Sequence, residues 1–212
     1  MSHRFADIAF TPAVQELQKR YGSRAQYARM QASGYADTLG THEAEFLAQA
    51  DSFYLATVSE TGWPYVQHRG GPRGFMKVLS PTQIGFADFR GNLQYVSAGN
   101  ASRNDRVSII VMDYGHKQRL KFLGHLRFLD LADADPALVR RMEMPDYKAT
   151  VERFAIIDVA AFDWNCPQHI TQRFTLEQVE VASRPLHERI AQLEEQLRTA
   201  RNSGLQGNRE IP

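Results

Sequence analysis

Residues 53–69 read FYLATVSETGWPYVQHR, and this stretch indicates the fold class. Two runs rich in aromatic and β-branched residues, FYLATVS and WPYVQHR, lie on either side of Glu60-Thr61-Gly62. Such runs favour β-strands, and a short connection that contains glycine favours a turn. Strands joined by so short a turn pair in antiparallel fashion, because a parallel pair needs a longer crossover. The segment therefore predicts a β-hairpin.

The same β-favouring composition continues along the chain. Further β-rich runs, separated by turn-forming residues, are FMKVLS, QIGFAD, LQYVS, VSIIVMD and RLKFLGHLRFLD. A last run, VERFAIIDVAAF at about 151–162, follows a helix that Asp135-Pro136 is expected to start. Strands and helices do not alternate as they do in parallel sheets. These runs therefore predict an antiparallel barrel or sandwich of six or more strands.

Helices are predicted before this β-rich region. Thr11-Pro12 is typical of a helix start, and Gly22 is placed to end that helix. A second helix is expected at about 24–33, and Thr41 can cap a third. The first fifty residues thus form a helical lead-in.

The C-terminal region is predicted to contain one amphipathic helix at about 186–201. Its apolar residues recur at spacings of four, three and four: Leu186, Ile190, Leu193 and Leu197. Such a row packs either on the protein's own domain or on a partner chain, and the spacing alone fits both interpretations. The residues after this helix are expected to fray.

Charge and cysteine content exclude several classes of protein. With 25 Lys and Arg against 24 Asp and Glu, the net charge is +1, so no nucleic-acid partner and no membrane partner are expected. Cys166 is the single cysteine, which excludes an intrachain disulfide and a cysteine-rich metal site. The chain also lacks a secretory leader pattern and a run of about 18 apolar residues. We therefore expect a cytoplasmic protein.

The segment QHRGGPRGFMK, residues 67–77, is the strongest candidate for binding an anion. In one extended strand Arg69, Arg73 and Lys77 would point to the same side, because alternate residues share a face. Gly70 and the other glycines of the segment would let a ligand approach the backbone closely. Guanidinium and ammonium groups beside exposed backbone N–H groups suit a phosphate. The alternative is a solvated, basic edge strand.

Two further polar clusters follow. ADFRGNLQY places Asp88, Arg90 and Asn92 on a turn after a strand, an arrangement that also occurs in ordinary hairpins. SAGNASRNDR contributes Asn100 among several hydrogen-bonding side chains that are expected to cap a short helix. The first cluster adds a second arginine beside glycine to the predicted anion site.

A fourth cluster, FDWNCPQHITQRF, follows the last predicted strand. It concentrates the candidate ligand-binding residues Trp164, Asn165, Cys166 and Gln168 on a short loop, and such loops often line ligand sites. A nucleophilic pair of Cys166 and His169 is the alternative, against the commoner interpretation of an isolated cysteine as a small buried apolar residue. The histidines show no metal-binding spacing, so no metal site is predicted.

In their order along the chain these pieces resemble a known family. Residues 46–100, then NDRVSIIVMDY, RLKFLGHLRF and WNCPQHI, resemble the flavin-binding split-barrel proteins related to pyridoxamine 5′-phosphate oxidase. The resemblance implies a mainly β fold with flanking helices, a six-stranded antiparallel split barrel that forms a homodimer. It also implies two FMN molecules at the subunit interface. The implied domains are a helical lead-in at 1–42, the FMN-binding barrel at 43–175, and a C-terminal helix with a frayed tail at 176–212.

The resemblance also assigns roles. The basic strand, with Arg90 and Asn92, would hold the FMN phosphate and ribityl chain, although Arg73-Gly-Phe-Met-Lys77 departs from the family's spacing of arginine and lysine. The WNCPQHI loop would lie near the flavin ring, including that of the partner chain, with Trp164 or Phe86 as a stacking wall. The oxidase's C-terminal substrate-binding residues are absent here.

The expected function is that of an FMN-dependent oxidoreductase. It would transfer hydride or electrons between NADH or NADPH and a small-molecule substrate, with the flavin supplying the redox chemistry. The alternative is a non-catalytic sensor or storage protein that binds flavin or haem in the same barrel.

Overall fold

The computed structural model describes residues 4–32, 38–164 and 168–207, with side chains described up to Arg201. The chain divides into two compact units. The larger unit comprises Met1–Asp113 and Lys117–Ile170, and the smaller comprises Tyr114–His116 and Thr171–Pro212. All the cofactor-binding residues predicted from the sequence belong to the larger unit.

Over its described residues the larger unit is built on a single antiparallel sheet of seven strands, one more than the six that the resemblance implied. The strands are β1 Ser52–Val58, β2 Pro64–Gly70, β3 Met76–Ser80, β4 Gln83–Phe89, β5 Arg106–Asp113, β6 Gln118–Asp130 and β7 Val151–Trp164. Their order across the sheet is β2-β1-β5-β6-β7-β4-β3. The predicted hairpin of β1 and β2 is confirmed, with Phe53 opposite Arg69. The predicted run FMKVLS forms the short edge strand β3.

The sheet curls into a split barrel. Its two edges are β2 and β3, which are consecutive along the chain and are joined by residues 71–75. Such a connection spans at most about 20 Å, so the two edges of a seven-stranded sheet must come close together. In the described sheet β2 and β3 are not hydrogen-bonded neighbours, so the barrel remains open along this line.

The interior of the barrel is filled by aromatic and aliphatic side chains. Phe53 stacks on Phe75 with ring centroids 5.6 Å apart and meets the edge of Phe86 at 5.0 Å. Because Phe86 is 1% exposed, it is part of this core, and its predicted role as a wall for a flavin ring is wrong. On the outer side of β4 and β7, the helix Pro136–Met142 covers a second apolar cluster that includes Phe154 and Met142.

The helices before and between the strands agree largely with the predictions. They are α1 Arg4–Ala9, α2 Pro12–Arg20, α3 Arg24–Ala32, α4 Thr41–Gln49, α5 Val96–Arg103 and α6 Pro136–Met142. Thr11 caps α2, and Gly22 follows that helix with a φ of 77° that suits glycine. The residue that caps α4 is Gly40 rather than Thr41, since the Glu43 carboxylate accepts the Gly40 N–H at 2.9 Å.

The run LQYVS does not form the predicted strand. Leu93 and Tyr95 have φ angles of 61° and 53°, in the left-handed region that interrupts an extended chain. Val96 then begins α5, whose buried residues Ser97, Asn100 and Ala101 recur with helical spacing. The β-favouring composition that predicted a strand is thus overridden by the packing of this helix.

The smaller unit consists mainly of the helix α7, Leu176–Gly207, which is longer than the predicted span of 186–201. Thr175 and Gln178 start it with a reciprocal capping arrangement, in which each side chain accepts the other residue's N–H, at 2.9 and 3.2 Å. Within this unit the Gln172 side chain also donates to the Gly115 carbonyl at 2.7 Å. In the described part of the chain, no helix has the length and apolar character needed to cross a bilayer.

Candidate functional site

A buried carboxylate and two arginines form the centre of the site. Asp88 on β4 is 3% exposed and accepts hydrogen bonds from Arg69 Nη1 and, at 2.9 Å, from Arg153 Nε. Arg153 lies directly opposite Asp88 on β7. Arg69 lies on the edge strand β2, whereas β4 lies next to the opposite edge strand, β3. The ion pair of Arg69 with Asp88 therefore bridges the two sides of the split. We call these three residues the Asp88 triad.

A buried donor of the Asp88 triad has no partner among the described residues. This donor is Arg69 Nε. A buried polar atom without a partner is costly, so this N–H is available to an acceptor from outside the chain. Two guanidinium groups against one carboxylate also leave the triad with a net positive charge. It therefore favours an anion.

Arg69 lines a cavity of about 160 Å³ at the start of α5. We call it the Arg69 cavity, and its other lining residues include Asp88, Asn92, Tyr95, Ser97, Glu152 and Arg153. Tyr95 occupies the N-cap position of α5 but its side chain makes no capping hydrogen bond. The first N–H groups of a helix carry partial positive charge and bind anions. The helix start and Arg69 thus contribute charge of the same sign to one cavity.

Two larger cavities adjoin the first at Tyr95, which lines all three. One, of about 530 Å³, is lined by Arg90, Tyr95, Asp130, Thr150, Val151, Glu152 and Arg153. Within it the Glu152 carboxylate accepts hydrogen bonds from Arg90 Nε at 3.0 Å and from the Tyr95 hydroxyl at 3.3 Å. The other, of about 440 Å³, is lined by residues that include Asn100 and Arg103. Together they give a polar, mixed-charge groove beside the Arg69 cavity.

Several predicted site residues therefore come together here. Arg69, Asp88 and Asn92 line the Arg69 cavity, and Arg90 lines the cavity next to it. Asn100 lines the third cavity, and its buried amide donates to Thr57 Oγ1 at 2.9 Å. That bond holds α5 against β1, so Asn100 positions the helix whose N-terminus reaches the Arg69 cavity.

The predicted alignment of Arg69, Arg73 and Lys77 on one side of a single strand is wrong. Gly70 ends β2, and the chain then turns, with φ of 73° at Gly74. Arg73 is exposed on this turn. Lys77 follows the buried Met76 on β3, and since side chains alternate along a strand, it faces away from the barrel interior. Gly70, Arg73 and Lys77 do not line the three cavities.

Trp164 lies far from the Asp88 triad within one chain. It ends β7, whose opposite end carries Arg153, and the intervening residues span about 35 Å in a strand. Its indole stacks on His42 with centroids 4.5 Å apart, and its Nε1 donates to Glu43 Oε1 at 2.8 Å. Gln168 is exposed. The predicted site residues Asn165 and Cys166 lie outside the described residues.

Glu43 is held as a carboxylate beneath Trp164. Burial raises the pKa of Glu43, but hydrogen bonds from Trp164 Nε1 and from the Gly40 and Glu43 backbone N–H groups, with the charge of His42, bring it below its usual value. Because the ionised form is favoured, the Trp164 ring is fixed by a charge-assisted hydrogen bond.

Sequence reasoning missed three residues of the site: Tyr95, Glu152 and Arg153. For Glu152 and Arg153 the sequence held a signal, because they are adjacent opposite charges near the start of the largely apolar run VERFAIIDVAAF. Buried charges in a strand are normally paired, so Arg153 required a partner such as Asp88. For Tyr95 no signal existed, since its position depends on the left-handed turn before α5.

The fold and the site together define an antiparallel split barrel with a polar, arginine-lined cavity beside the split. The sequence profile described as pyridoxamine 5′-phosphate oxidase matches residues 39–164, which is more than half of the chain. The matched region contains all seven strands as well as the Asp88 triad. The chain belongs to the pyridoxamine 5′-phosphate oxidase family.

Solved structures show similarity at low sequence identity. A putative pyridoxamine 5′-phosphate oxidase from Lactobacillus delbrueckii is 18% identical, with a TM-score of 0.45, over 60% of this chain and 94% of that one. HupZ from Group A Streptococcus is 15% identical, with a TM-score of 0.44, over 64% and 99%. HutZ, the heme storage protein from Vibrio cholerae, is 16% identical, with a TM-score of 0.39, over 57% and 90%. A search of curated proteins found no match.

Proposed function

We propose that the protein binds FMN, with the phosphate in the Arg69 cavity, and acts as an oxidoreductase. The observation that carries this proposal is the buried Arg69 Nε without a partner, in a cavity at the N-terminus of α5. A dianionic phosphate would accept that N–H and the first backbone N–H groups of the helix. Asn92, which lines the same cavity, offers an amide to the phosphate or to the ribityl chain.

The Asp88 triad prepares this anchor before any ligand arrives. Asp88 holds Arg69 and Arg153 in place, so binding costs less side-chain entropy than it would with two mobile arginines. Arg90 and Tyr95 are fixed in the same way by Glu152. When bound, FMN supplies the hydride or electron transfer, and the protein supplies the orientation and the charge.

The flavin ring needs an aromatic wall, and Tyr95 is the one aromatic side chain among the described residues that line the three cavities. The predicted wall, Trp164, lies at the other end of β7 from the Asp88 triad. A homodimer in which the partner chain brings its own Trp164 to this cavity would provide the wall. We therefore propose a homodimer with the flavin site at the subunit interface.

The groove beside the Arg69 cavity is our candidate for the second reactant. Arg90 and Arg153 line it together with Asp130 and Glu152. These charges suit a polar small molecule or part of NADH or NADPH, which we propose as the reductant. Hydride transfer to a flavin requires no protein nucleophile.

The absorption spectrum of the purified protein tests the flavin proposal against haem. We expect a yellow protein with the near-ultraviolet and blue bands of a flavin. No histidine is among the described residues that line the three cavities, so a usual axial ligand for haem iron is not provided there. An intense Soret band without flavin absorption would refute the proposal and would favour haem binding or storage.

Fluorescence titration with FMN and riboflavin tests the phosphate anchor. A charge-assisted hydrogen bond contributes about 1.5–3 kcal/mol to binding. Arg69→Ala, which removes one, should therefore weaken FMN binding by roughly ten- to a hundredfold. Riboflavin, which lacks the phosphate, should bind less tightly than FMN and should lose little in the variant. Arg73→Ala is the matched control, because Arg73 does not line the cavities. Equal losses in both variants would refute the assignment of Arg69.

Light scattering of the flavin-loaded protein tests the shared site. A mass near 24.1 kDa, that of one chain, would refute it.

A further inference from the structure

The helix α7 carries a heptad pattern that extends well beyond the four apolar residues first seen in the sequence. Seven-residue repeats with apolar residues at the first and fourth positions, a and d, are typical of coiled coils. In α7 these positions fall on Leu176, Val179, Ser183, Leu186, Ile190, Leu193, Leu197 and Ala200. Six of these eight residues are large and apolar, and the pattern continues for more than three repeats, a length that argues for helix pairing.

The apolar row is exposed to solvent. Its six large side chains have between 41% and 84% of their surface exposed, and Leu176 and Leu186 are the most exposed. Isolated apolar side chains on a surface are ordinary, but a continuous row marks an interaction surface. We call this row of six residues the α7 seam.

Pro185 lowers the stability of α7 as an isolated helix, which favours packing of α7 against a partner. It lies inside α7, where it has no N–H to donate to the Val181 carbonyl four residues before it. Pro185 occupies a c position, on the side of the helix away from the α7 seam, so it does not obstruct pairing. A helix with an internal proline is poorly stable alone, and packing of its apolar face is the usual source of its stability.

The charged residues beside the α7 seam indicate which partner fits. Arg189 is at a g position and Glu194 at the following e position, the two sites that face each other across a parallel pair of helices. In the described residues Arg189 bonds Gln192 at 3.3 Å, and Glu194 has no ion-pair partner. In an antiparallel pair g positions face g positions and e positions face e positions, so Arg189 and Glu194 would not meet. The pattern thus favours a parallel pair of identical helices.

We propose that α7 pairs with α7 of a second copy of this chain as a parallel, two-stranded coiled coil. Ile at an a position and Leu at d positions favour this form, as Ile190, Leu186 and Leu193 do here. Burial of the α7 seam on both helices would remove on the order of 1,000 Å² from water, which reaches the size of a specific interface. The proposal is independent of the flavin site.

Disulfide cross-linking of the full-length chain tests the pairing. Leu193→Cys places a thiol at a d position, where two parallel helices bring their Cα atoms within the roughly 4.4–6.8 Å that a disulfide allows. Glu188→Cys is the matched control, since position f lies on the opposite side of the helix. The unsubstituted chain, with Cys166 alone, shows the background. We expect Leu193→Cys to form a 193–193 disulfide at least about ten times faster than either control reacts.

Charge exchange tests the register. Adding Arg189→Glu to Leu193→Cys should slow cross-linking about three- to fivefold, because it sets like charges opposite each other, and adding Glu194→Arg as well should restore it. Leu186→Cys, at another d position, should cross-link in the same way if Leu193→Cys fails to fold. Rates equal to those of Glu188→Cys would overturn the proposal and would favour docking of α7 on its own chain. Cross-linking only between positions 190 and 193, in a chain with both cysteines, would show an antiparallel pair and would overturn it too.

Discussion

Replacement of Asp88 by Asn removes the negative charge that Arg69 and Arg153 share. The carboxyl group is 3% exposed, and the two arginine side chains are 16% and 19% exposed, so water replaces the lost acceptor poorly. Asn keeps the volume but offers one oxygen in place of two and turns an N–H₂ group toward a guanidinium. Removal of one partner from a buried ion pair typically costs about 3–5 kcal/mol, and we expect a loss of that order.

Thermal and urea unfolding measure this loss. For a chain of this length each kcal/mol lowers the melting temperature by about 2–4 °C, so Asp88→Asn should lower it by roughly 6–20 °C. Asp158→Asn is the matched control, because Asp158 is exposed and accepts from Gln83 Nε2 at 2.7 Å. It should change stability by no more than about 0.5 kcal/mol.

Asp88 is expected to stabilise the fold through its two arginines. In an Arg69→Met background, Asp88→Asn should cost less than in the unsubstituted chain, with a coupling of about 0.5–3 kcal/mol. If Asp88→Asn destabilised the protein no more than Asp158→Asn, or if its cost were the same in both backgrounds, the Asp88 triad would not be a stabilising unit.

Three further outcomes are expected. Since the pKa of Glu43 is lowered in the folded protein, its carboxylate contributes stability above the ordinary pKa of a glutamate, and this contribution is lost as the pH falls through the folded value. The free energy of unfolding should therefore decline more steeply in acid for the unsubstituted chain than for Glu43→Gln, and parallel curves would contradict the effect. Gly124→Ala should destabilise the barrel in urea titrations, because its Cβ would lie 2.6 Å from the Asp158 carbonyl oxygen; an unchanged midpoint would show that the backbone yields. Cys166→Ser should retain flavin and most of the anaerobic reduction by NADH or NADPH, and loss of turnover with unchanged flavin affinity would require a thiol-dependent reaction.

The strands could be predicted from the sequence because their signals are local. Runs rich in aromatic and β-branched residues, bounded by turn residues, mark β1 and β2, and the capping residues of α2 and α6 mark where those helices begin. LQYVS carries the same composition but lies where the backbone twice adopts a left-handed conformation, so packing of α5 decided its structure. Local composition predicts an element only where tertiary contacts agree with it.

The site could be predicted only in part, because its contacts join residues that are distant in the sequence. Asp88 accepts hydrogen bonds from Arg69 and Arg153, which are 19 and 65 residues away in the sequence. Trp164 and Glu43 form a hydrogen bond although 121 positions separate them. Sequence patterns identified Arg69 and Asp88 as unusual without showing that they pair. They also could not show that the turn at residues 71–75 separates Arg69 from Lys77.

The order of strands in the sheet has a consequence for the rate at which the protein folds. β1 pairs with β2, and β3 with β4, through short turns, so these hairpins can form early. β4 and β7 pair only after about 70 residues have been closed into a loop, as the register of Ile84 with Ile157 shows. Sheets with such long-range pairing fold in milliseconds to seconds, because the chain entropy is lost before the contacts form. We therefore expect refolding to be limited by the docking of the β3–β4 hairpin onto β7, the step that also brings Asp88 to Arg153.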